Sequence, residues 1–362
     1  MNYLIMRQSL HIFVIILLIV AVIVSWNQHK VINFNKVQCK TLQTSNESKE
    51  TTIYISSLCN CNKETVTDNE SVHLVSTAFK WCSPESSMRG MHQFVIAYTL
   101  YGNVHNDTVA QRYFSMSILR NISLTAEKLY PGWIVRIYHN IRDQEGAEKD
   151  AHNQLCDIYC QFHNVDLCSV PNMVDRIGNK TTPIEAGLLA GLNPKMFRYL
   201  AMLDRNVDVF ISRDIDSIIW QREVDAVSEW LKSNFTFHAM RDHDFHATII
   251  LAGMWGAKIY KRRDVIEGLM RDLLISGQDQ YVGQDQSSLE TIVWPTAKFD
   301  VMVHDSYHCQ NKNITQVSPL KVFPFPTQRN GSYYVGGLGG ELYPWDCPEA
   351  CRPLQHKDWQ YC

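Results

Sequence analysis

Four catalytic signatures are missing from this chain: G-x-S-x-G, the P-loop, G-x-G-x-x-G and H-E-x-x-H. Their absence disfavours a serine hydrolase, a nucleoside triphosphatase, a dinucleotide oxidoreductase and a zincin. Positive charge is not in excess either. The formal net charge is −3 at pH 7, and no basic, aromatic-interleaved patch occurs, so nucleic acid is not expected as a partner. An acidic substrate must then be met by local charge or by a metal. Paired zinc spacings are also lacking: Cys59-x-Cys61 and Cys156-x₃-Cys160 do not fit a finger, and no second C-x-x-C half exists. No internal repeat or low-complexity tract appears, which leaves one large or two ordinary domains for 362 residues.

What is present begins with an apolar run, Leu10 to Trp26, of 17 residues without formal charge. It is at the short edge of a membrane-spanning helix. Without a clear A-x-A site, an uncleaved signal anchor is favoured over a cleaved signal peptide. Flanking charge does not orient it, since Arg7 lies on one side and Lys30, Lys36 and Lys40 on the other. Two other features do. Eight N-x-S/T sequons, at Asn46, Asn69, Asn106, Asn121, Asn179, Asn234, Asn313 and Asn330, and all 11 cysteines follow the run. Such a set reads as disulfides in an oxidising lumen. An odd count leaves one thiol free or shared between chains, and Cys39 suggests a disulfide-linked homodimer. The expected organisation is a short cytoplasmic tail (1–9), a transmembrane signal anchor (10–26), a polar luminal stem (27–90) and a catalytic domain (91–362) with a disulfide-rich tail.

Within 91–362 strand-like and helix-like segments alternate. Strands are expected at 94–100, 133–138, 164–170, 207–213, 235–240 and 247–251. Helices are expected over 108–129, from Asn193-Pro194 with Asn as N-cap, and from Ser217. Strands joined by crossover helices imply an α/β fold with a mostly parallel sheet, which binds ligands beyond the carboxyl ends of its strands.

Val207-Asp-Val-Phe-Ile-Ser-Arg-Asp-Ile-Asp-Ser217 delivers Asp214 and Asp216 to such an end. Oxygen-only ligands spaced this way suit Mg²⁺ or Mn²⁺ that also holds phosphate oxygens; a solvated, helix-capping turn is the plain alternative. Arg213 either contacts phosphate or pairs with a carboxylate. Gly253 and Gly256 flank Trp255, where glycine permits close backbone approach to a ligand or simply makes a bulge. Arg241-Asp242-His243-Asp244-Phe245-His246 is dense in ionisable groups that could hold a metal, recognise hydroxyls or be solvated. Asp285 opens a helix and either offsets its dipole or acts as a general base. His304 and His308 are imidazoles at i and i+4, either of which could complete the coordination of a cation on the D-x-D.

The string Tyr101-Gly-Asn, Leu129-Tyr-Pro-Gly-Trp133, Arg213-Asp-Ile-Asp-Ser217, Arg222-Glu223, Glu229-Trp230, Met240-Arg-Asp-His243 and Gly253-Met-Trp-Gly256 resembles a little-characterised group of GT-A fold glycosyltransferases. The resemblance covers about residues 92–310. It implies a Golgi type II membrane enzyme, of hexosyltransferase type, that moves sugar from a nucleotide sugar, most readily a UDP sugar, to a glycan or glycoprotein acceptor. Carried over, Asp216 is the main ligand of Mn²⁺ or Mg²⁺ and Asp214 its helper toward the donor's ribose, with His304 or His308 as the C-terminal metal-binding histidine. Tyr101, Arg213, Gly253, Trp255 and Gly256 flank the donor, Arg241, Asp242 and His243 face substrate, and Asp285 stands at the catalytic or donor-contacting acid. Gly-Gln-Asp-Gln replaces the more usual paired acids there. Cys347, Cys351 and Cys362 read as a disulfide-closed flap for the acceptor. Two rivals remain. One is a metallo-hydrolase or phosphodiesterase in which at least three of Asp242, His243, Asp244, His246, His304 and His308 converge. The other is a non-catalytic glycosyltransferase-like partner.

Overall fold

The computed structural model describes residues 50–55, 59–67, 80–102, 116–142, 146–177, 186–338 and 346–362. The predicted membrane segment and Cys39 lie outside them. Among the described residues no helix is long and apolar enough to cross a membrane.

Residues 49–362 form one compact unit. It opens with a hairpin that pairs β1 (Glu50–Ile55) with β2 (Asn62–Thr67). Its centre is a separate 8-stranded sheet. The strands are β3 (Gln93–Leu100), β4 (Ile134–His139), β5 (Val165–Ser169), β6 (Val207–Arg213), β7 (Phe237–Arg241), β8 (Met254–Lys258), β9 (Val301–Asp305) and β10 (Val322–Phe323). They lie side by side in the order β10-β9-β7-β8-β6-β3-β4-β5. Strand β8 runs antiparallel to both its neighbours, β6 and β7, while the other pairings are parallel.

Both faces of the sheet are covered, which is why strands β3 to β9 are buried on nearly every residue rather than on alternate ones. The period of two divides them. Val95 and Ala97 of β3 and Phe210 of β6 enter one core, with the 3₁₀ helix Pro194–Leu203 and helix Arg263–Ser276. Ile96, Tyr98 and Leu100 enter the other, with Val209 and Ile211 of β6. That core is roofed by α1 (Met116–Leu129), α2 (Ala147–Gln161) and, further along the chain, the helix Gln221–Lys232. Asn193 caps the 3₁₀ helix as expected, its side chain accepting from the Lys195 N–H at 3.1 Å.

Two expected elements move. The helix expected from Ser217 begins at Gln221. The stretch 247–251 is a loop, not a strand, and the strand that follows it is β8. The loop's carbonyls are claimed by side chains: Arg241 holds those of Thr248 and Ile249, Gln286 that of Ile250, and Ser212 that of Ala252. An apolar segment whose backbone is satisfied this way has no need of a ladder.

Disulfides tie the flanks to this core. Cys59–Cys156 and Cys61–Cys160 join the segment before β2 to successive turns of α2, and Cys82–Cys168 fastens the approach to β3 onto β5. Cys156 and Cys160, four residues apart, lie one above the other on the same face of α2, so both bridges leave the helix on one side toward the turn at Asn60 (φ +50°). Cys309–Cys351 and Cys347–Cys362 knot the tail beside the end of β9. Of the expected stem, the described part from residue 50 onward thus belongs to the folded unit.

Candidate functional site

The chain order of the sheet turns back between β3 and β6, which lie side by side while β4 and β5 extend one way and β8 to β10 the other. At such a switch point the loops leaving adjacent strands part and open a crevice. Asp214 and Asp216 stand there. The Ser217 N–H donates to the Asp214 carbonyl at 3.1 Å, closing a turn that carries both acids outward while Ile215 between them is buried. Alternation on a plain strand would have pointed the pair to one face only if extended; here the turn and the buried isoleucine fix it.

The crevice contains a cavity of about 220 Å³ lined by Thr99, Leu100 and Tyr101 beyond β3, Lys195 and Arg198 from the 3₁₀ helix, Asp214, Ile215 and Asp216 beyond β6, and Asp285. Arg198 is its hub. Nη1 donates to Asp214 Oδ1 and to the Arg213 carbonyl at 3.0 Å, Nη2 donates to Asp285 Oδ2 at 3.1 Å, and its backbone N–H donates to Thr99 Oγ1 at 3.0 Å. Burial works against its charge, but Asp214, Tyr199 and Asp285 hold the guanidinium protonated even more firmly than a free arginine. Sequence reading missed Arg198 and Lys195. The available signal was an arginine set in the apolar run Met196-Phe-Arg-Tyr-Leu200, which a fold can bury only beside acids.

Of the donor-side residues expected from sequence, Tyr101 and Asp214 reach the cavity with Asp216 and Asp285. Gly253 lies against Asp214: a Cβ there would sit 2.0 Å from Asp214 Oδ2, so glycine is what lets the β8 approach pass the first acid of the D-x-D. Gly256 and Trp255 do not line the cavity. Trp255 is fully buried, edge-on to Tyr199 and Phe210, and a Cβ on Gly256 would meet the Phe210 carbonyl at 2.6 Å, so both serve sheet packing. Arg213 turns to the opposite face, where its Nε donates to Glu223 Oε1 at 2.7 Å and the Tyr130 hydroxyl meets the same oxygen at 3.1 Å. Of its two expected roles the structure has carboxylate pairing.

The remaining expected residues form structural networks. Arg241 is paired with Asp305 at 2.8 Å, and Asp242 is held by both arms of Arg222. His243 Nδ1 accepts from the Phe245 N–H, His246 Nδ1 from the Asp242 N–H, and His308 Nε2 meets the Asp244 carbonyl. His304 is separated from the D-x-D by β7 and β8, which at about 4.8 Å per strand puts β9 some 14 Å from β6. It is instead buried beneath the helix Gln221–Lys232, with His238 at 2.7 Å and Glu229 at 3.2 Å. Neither His304 nor His308 lines the cavity, and among the described residues no three His, Cys, Asp or Glu are grouped to hold a metal. The convergence a metallo-hydrolase needs is therefore not found there.

These histidines make stability pH-dependent. Burial pushes His246 down to about 3, with Asp242 opposing and His243, His308 and Arg241 adding; burial and His152 push His139 down to about 3. Each is neutral in the fold and protonates near 6.5 once unfolded. Below pH 6.5 the unfolded chain binds more protons, so stability that is complete above that pH is lost as pH falls toward 3. The expected slope is about 1.4 kcal/mol per pH unit for each histidine. Urea unfolding at pH 7 and pH 5.5 measures it, and His246→Gln should flatten the dependence; an unchanged slope in that variant would contradict the assignment.

No family model and no curated protein matches this sequence. Among solved structures, the chain is similar to the apo form of the glycosyltransferase GlyE from Streptococcus pneumoniae TIGR4, at 14% identity and a TM-score of 0.33, over 57% of this chain and 44% of that one. It is also similar to the galactosyltransferase LgtC in complex with donor and acceptor sugar analogues, at 12% identity and a TM-score of 0.32, over 63% of this chain and 79% of that one. The chain thus spans less than half of GlyE.

Proposed function

We propose that this chain is a metal-dependent glycosyltransferase that takes sugar from a nucleotide sugar, with a UDP sugar as the first candidate, and transfers it to a glycan or glycoprotein acceptor in the secretory lumen. The observation that carries the reading is the cavity at the switch point, where the D-x-D acids meet two cations, Lys195 and Arg198. Acids alone would repel a diphosphate. Acids that recruit a divalent cation, beside fixed cationic side chains, suit one.

The donor set fits Mg²⁺ or Mn²⁺. It consists of carboxylate oxygens, and Mg²⁺ in particular is held by one or two carboxylates with substrate phosphate and water completing its shell, not by an all-protein cage. Asp216 would be the principal ligand, with Asp214 beside it and already engaged by Arg198. When bound, the ion would offset the charge growing on the departing diphosphate. Arg198, clamped at Asp214, Asp285 and Thr99, presents its charge without reorganising, and Lys195 adds a second positive charge at the same wall. Asp285 enters this proposal as the residue that fixes Arg198. The cavity is below the ~300–1,000 Å³ of pockets that enclose a drug-sized ligand, so a nucleotide sugar would set its diphosphate and sugar there and lay its base over the rim. Sequons and five disulfides support the luminal address.

Calorimetry of the full chain against UDP, GDP, CDP and ADP, with and without Mn²⁺, tests the proposal. One nucleoside diphosphate should bind at least ~10-fold more tightly with the ion, and Asp216→Ala should remove that difference. No nucleotide binding, or a metal effect that survives in Asp216→Ala, would sink it.

A further inference from the structure

Immediately after the D-x-D turn the chain breaks a local rule. Helix N-caps are normally Ser, Thr, Asp or Asn, whose side chains accept from the first N–H groups. The helix Gln221–Lys232 is capped by Trp220, which supplies no side-chain cap. Trp220 does not serve the core either, being only half-buried. Its indole N–H is withdrawn from solvent and has no hydrogen-bond partner among the described residues. Residues that break a local preference without structural return are where function is expected.

A second segment brings Trp220 a companion. The strap 331–338 is held by three hydrogen bonds, two to the D-x-D turn, from Ser217 Oγ to the Gly336 carbonyl at 3.3 Å and from the Ile218 N–H to the Gly337 carbonyl at 3.2 Å, and one from the Val335 N–H to Asp242 Oδ2, just beyond β7, at 2.9 Å. Gly336 has φ +89°, and a Cβ there would sit 2.4 Å from Met254 Sδ, so the strap is built to lie close. It presents Tyr333, 42% exposed, with its ring 4.9 Å from that of Trp220 and tilted 45° to it. Ile218 and Leu338, on the two hydrogen-bonded segments, are exposed as well.

We propose that Trp220 and Tyr333 form the platform on which a ring of the acceptor saccharide stacks, next to the D-x-D turn; this names the acceptor side of the glycosyltransferase reading and rests on it. A pyranose offers an apolar face of C–H groups bounded by hydroxyls. Aromatic rings that pair an apolar body with a polar handle, here the phenol O–H of the exposed Tyr333, match that surface. A lipid or an apolar peptide would leave that phenol O–H unanswered and would have no need of a place clamped to the D-x-D turn. The backbone clamp between strap and turn keeps the platform in fixed register with the acids, as an acceptor site requires.

The test reads saccharide binding directly, without nucleotide. The full-length chain, in a detergent lacking a sugar headgroup, is applied to an array of N-glycan, O-glycan, glycosaminoglycan and glycolipid-headgroup oligosaccharides, alongside phosphatidylcholine vesicles. One saccharide class should bind, with affinity falling about 10-fold or more in Trp220→Ala and in Tyr333→Ala, partly restored in Trp220→Tyr and unchanged in Tyr260→Ala. Melting temperatures confirm that each variant is folded, and Tyr333, being exposed, secures the test if Trp220→Ala is not. A silent array, binding indifferent to both substitutions, or Trp220-dependent binding of vesicles alone would overturn the proposal. Saccharide binding with no nucleotide binding would refute the transferase reading and leave the platform standing; nucleotide binding with a silent array would do the reverse.

Discussion

Arg198→Ala should weaken metal-dependent nucleotide binding by roughly 100-fold and lower stability by about 3–5 kcal/mol. Both effects have one cause. The guanidinium, itself 4% exposed, is the partner of Asp285, whose carboxylate is nearly buried, and of Asp214 at the cavity mouth. Removing it leaves Asp285 uncompensated in a low-dielectric wall with a second acid nearby, the costly way to break a buried pair. Arg198→Lys separates the effects. A lysine returns the charge but has no fork with which to reach two carboxylates and a carbonyl together, so stability should recover in part while nucleotide affinity stays low. Asp285→Asn should also loosen nucleotide binding, because Arg198 then keeps an acceptor there but loses the charge that fixes it. Urea unfolding and calorimetry with Mn²⁺ measure the series, and an Arg198→Ala chain that binds nucleotide normally would remove Arg198 from the site.

Much of this site is written locally in the amino-acid sequence. Strand β6 is legible because Val207, Val209, Phe210 and Ile211 are β-branched or aromatic, and the acids after it mark where such a run must stop. The mostly parallel α/β sheet follows from the alternation of such runs with helical stretches. What local pattern does not carry is everything that depends on strand order. His304 follows the D-x-D in sequence at a distance that suits a cation's last ligand, yet β7 and β8 come between them, and no local pattern encodes that. The reversal of β8 is hidden for the same reason. Residues 247–251 look like a strand because Ile249, Ile250 and Leu251 are apolar; they are a loop because Arg241 and Gln286 supply hydrogen bonds that a neighbouring strand would. Arg198 escapes notice because its meaning lies in acids 16 and 87 residues away. The aromatic pair escapes it because Tyr333 meets Trp220 only through the tail's return.

Besides its disulfides, that return is tied down by Arg222. Arg222→Ala should lower stability by about 3–5 kcal/mol and, although Arg222 does not line the cavity, weaken nucleotide binding as well. Arg222 meets Asp242 with Nε at 2.9 Å and Nη2 at 2.7 Å, donates to Ser306 Oγ at 2.9 Å, lies over the Phe325 ring at 4.1 Å, and reaches the carbonyls of Thr327 and Cys362. Burial pushes the Asp242 carboxyl up, but Arg222, the Val335 N–H and Ser306 outweigh it and hold the group ionised below its usual range. Without Arg222 that carboxylate is stranded, with 0% exposure. Asp242, which accepts from the Val335 N–H, is then no longer held in place, and the strap loosens over its partners Ser217 and Ile218 on the D-x-D turn. The double variant Arg222→Met, Asp242→Leu distinguishes fold from site. Replacing a buried ion pair with apolar groups of similar volume is often neutral for stability, so unfolding should return toward the parent value. Nothing in the double variant accepts from the Val335 N–H, so the strap stays loose. Metal-dependent nucleotide affinity should therefore remain low while stability recovers. If affinity returned together with stability, the strap would be scaffolding alone and the acids would hold their geometry without it.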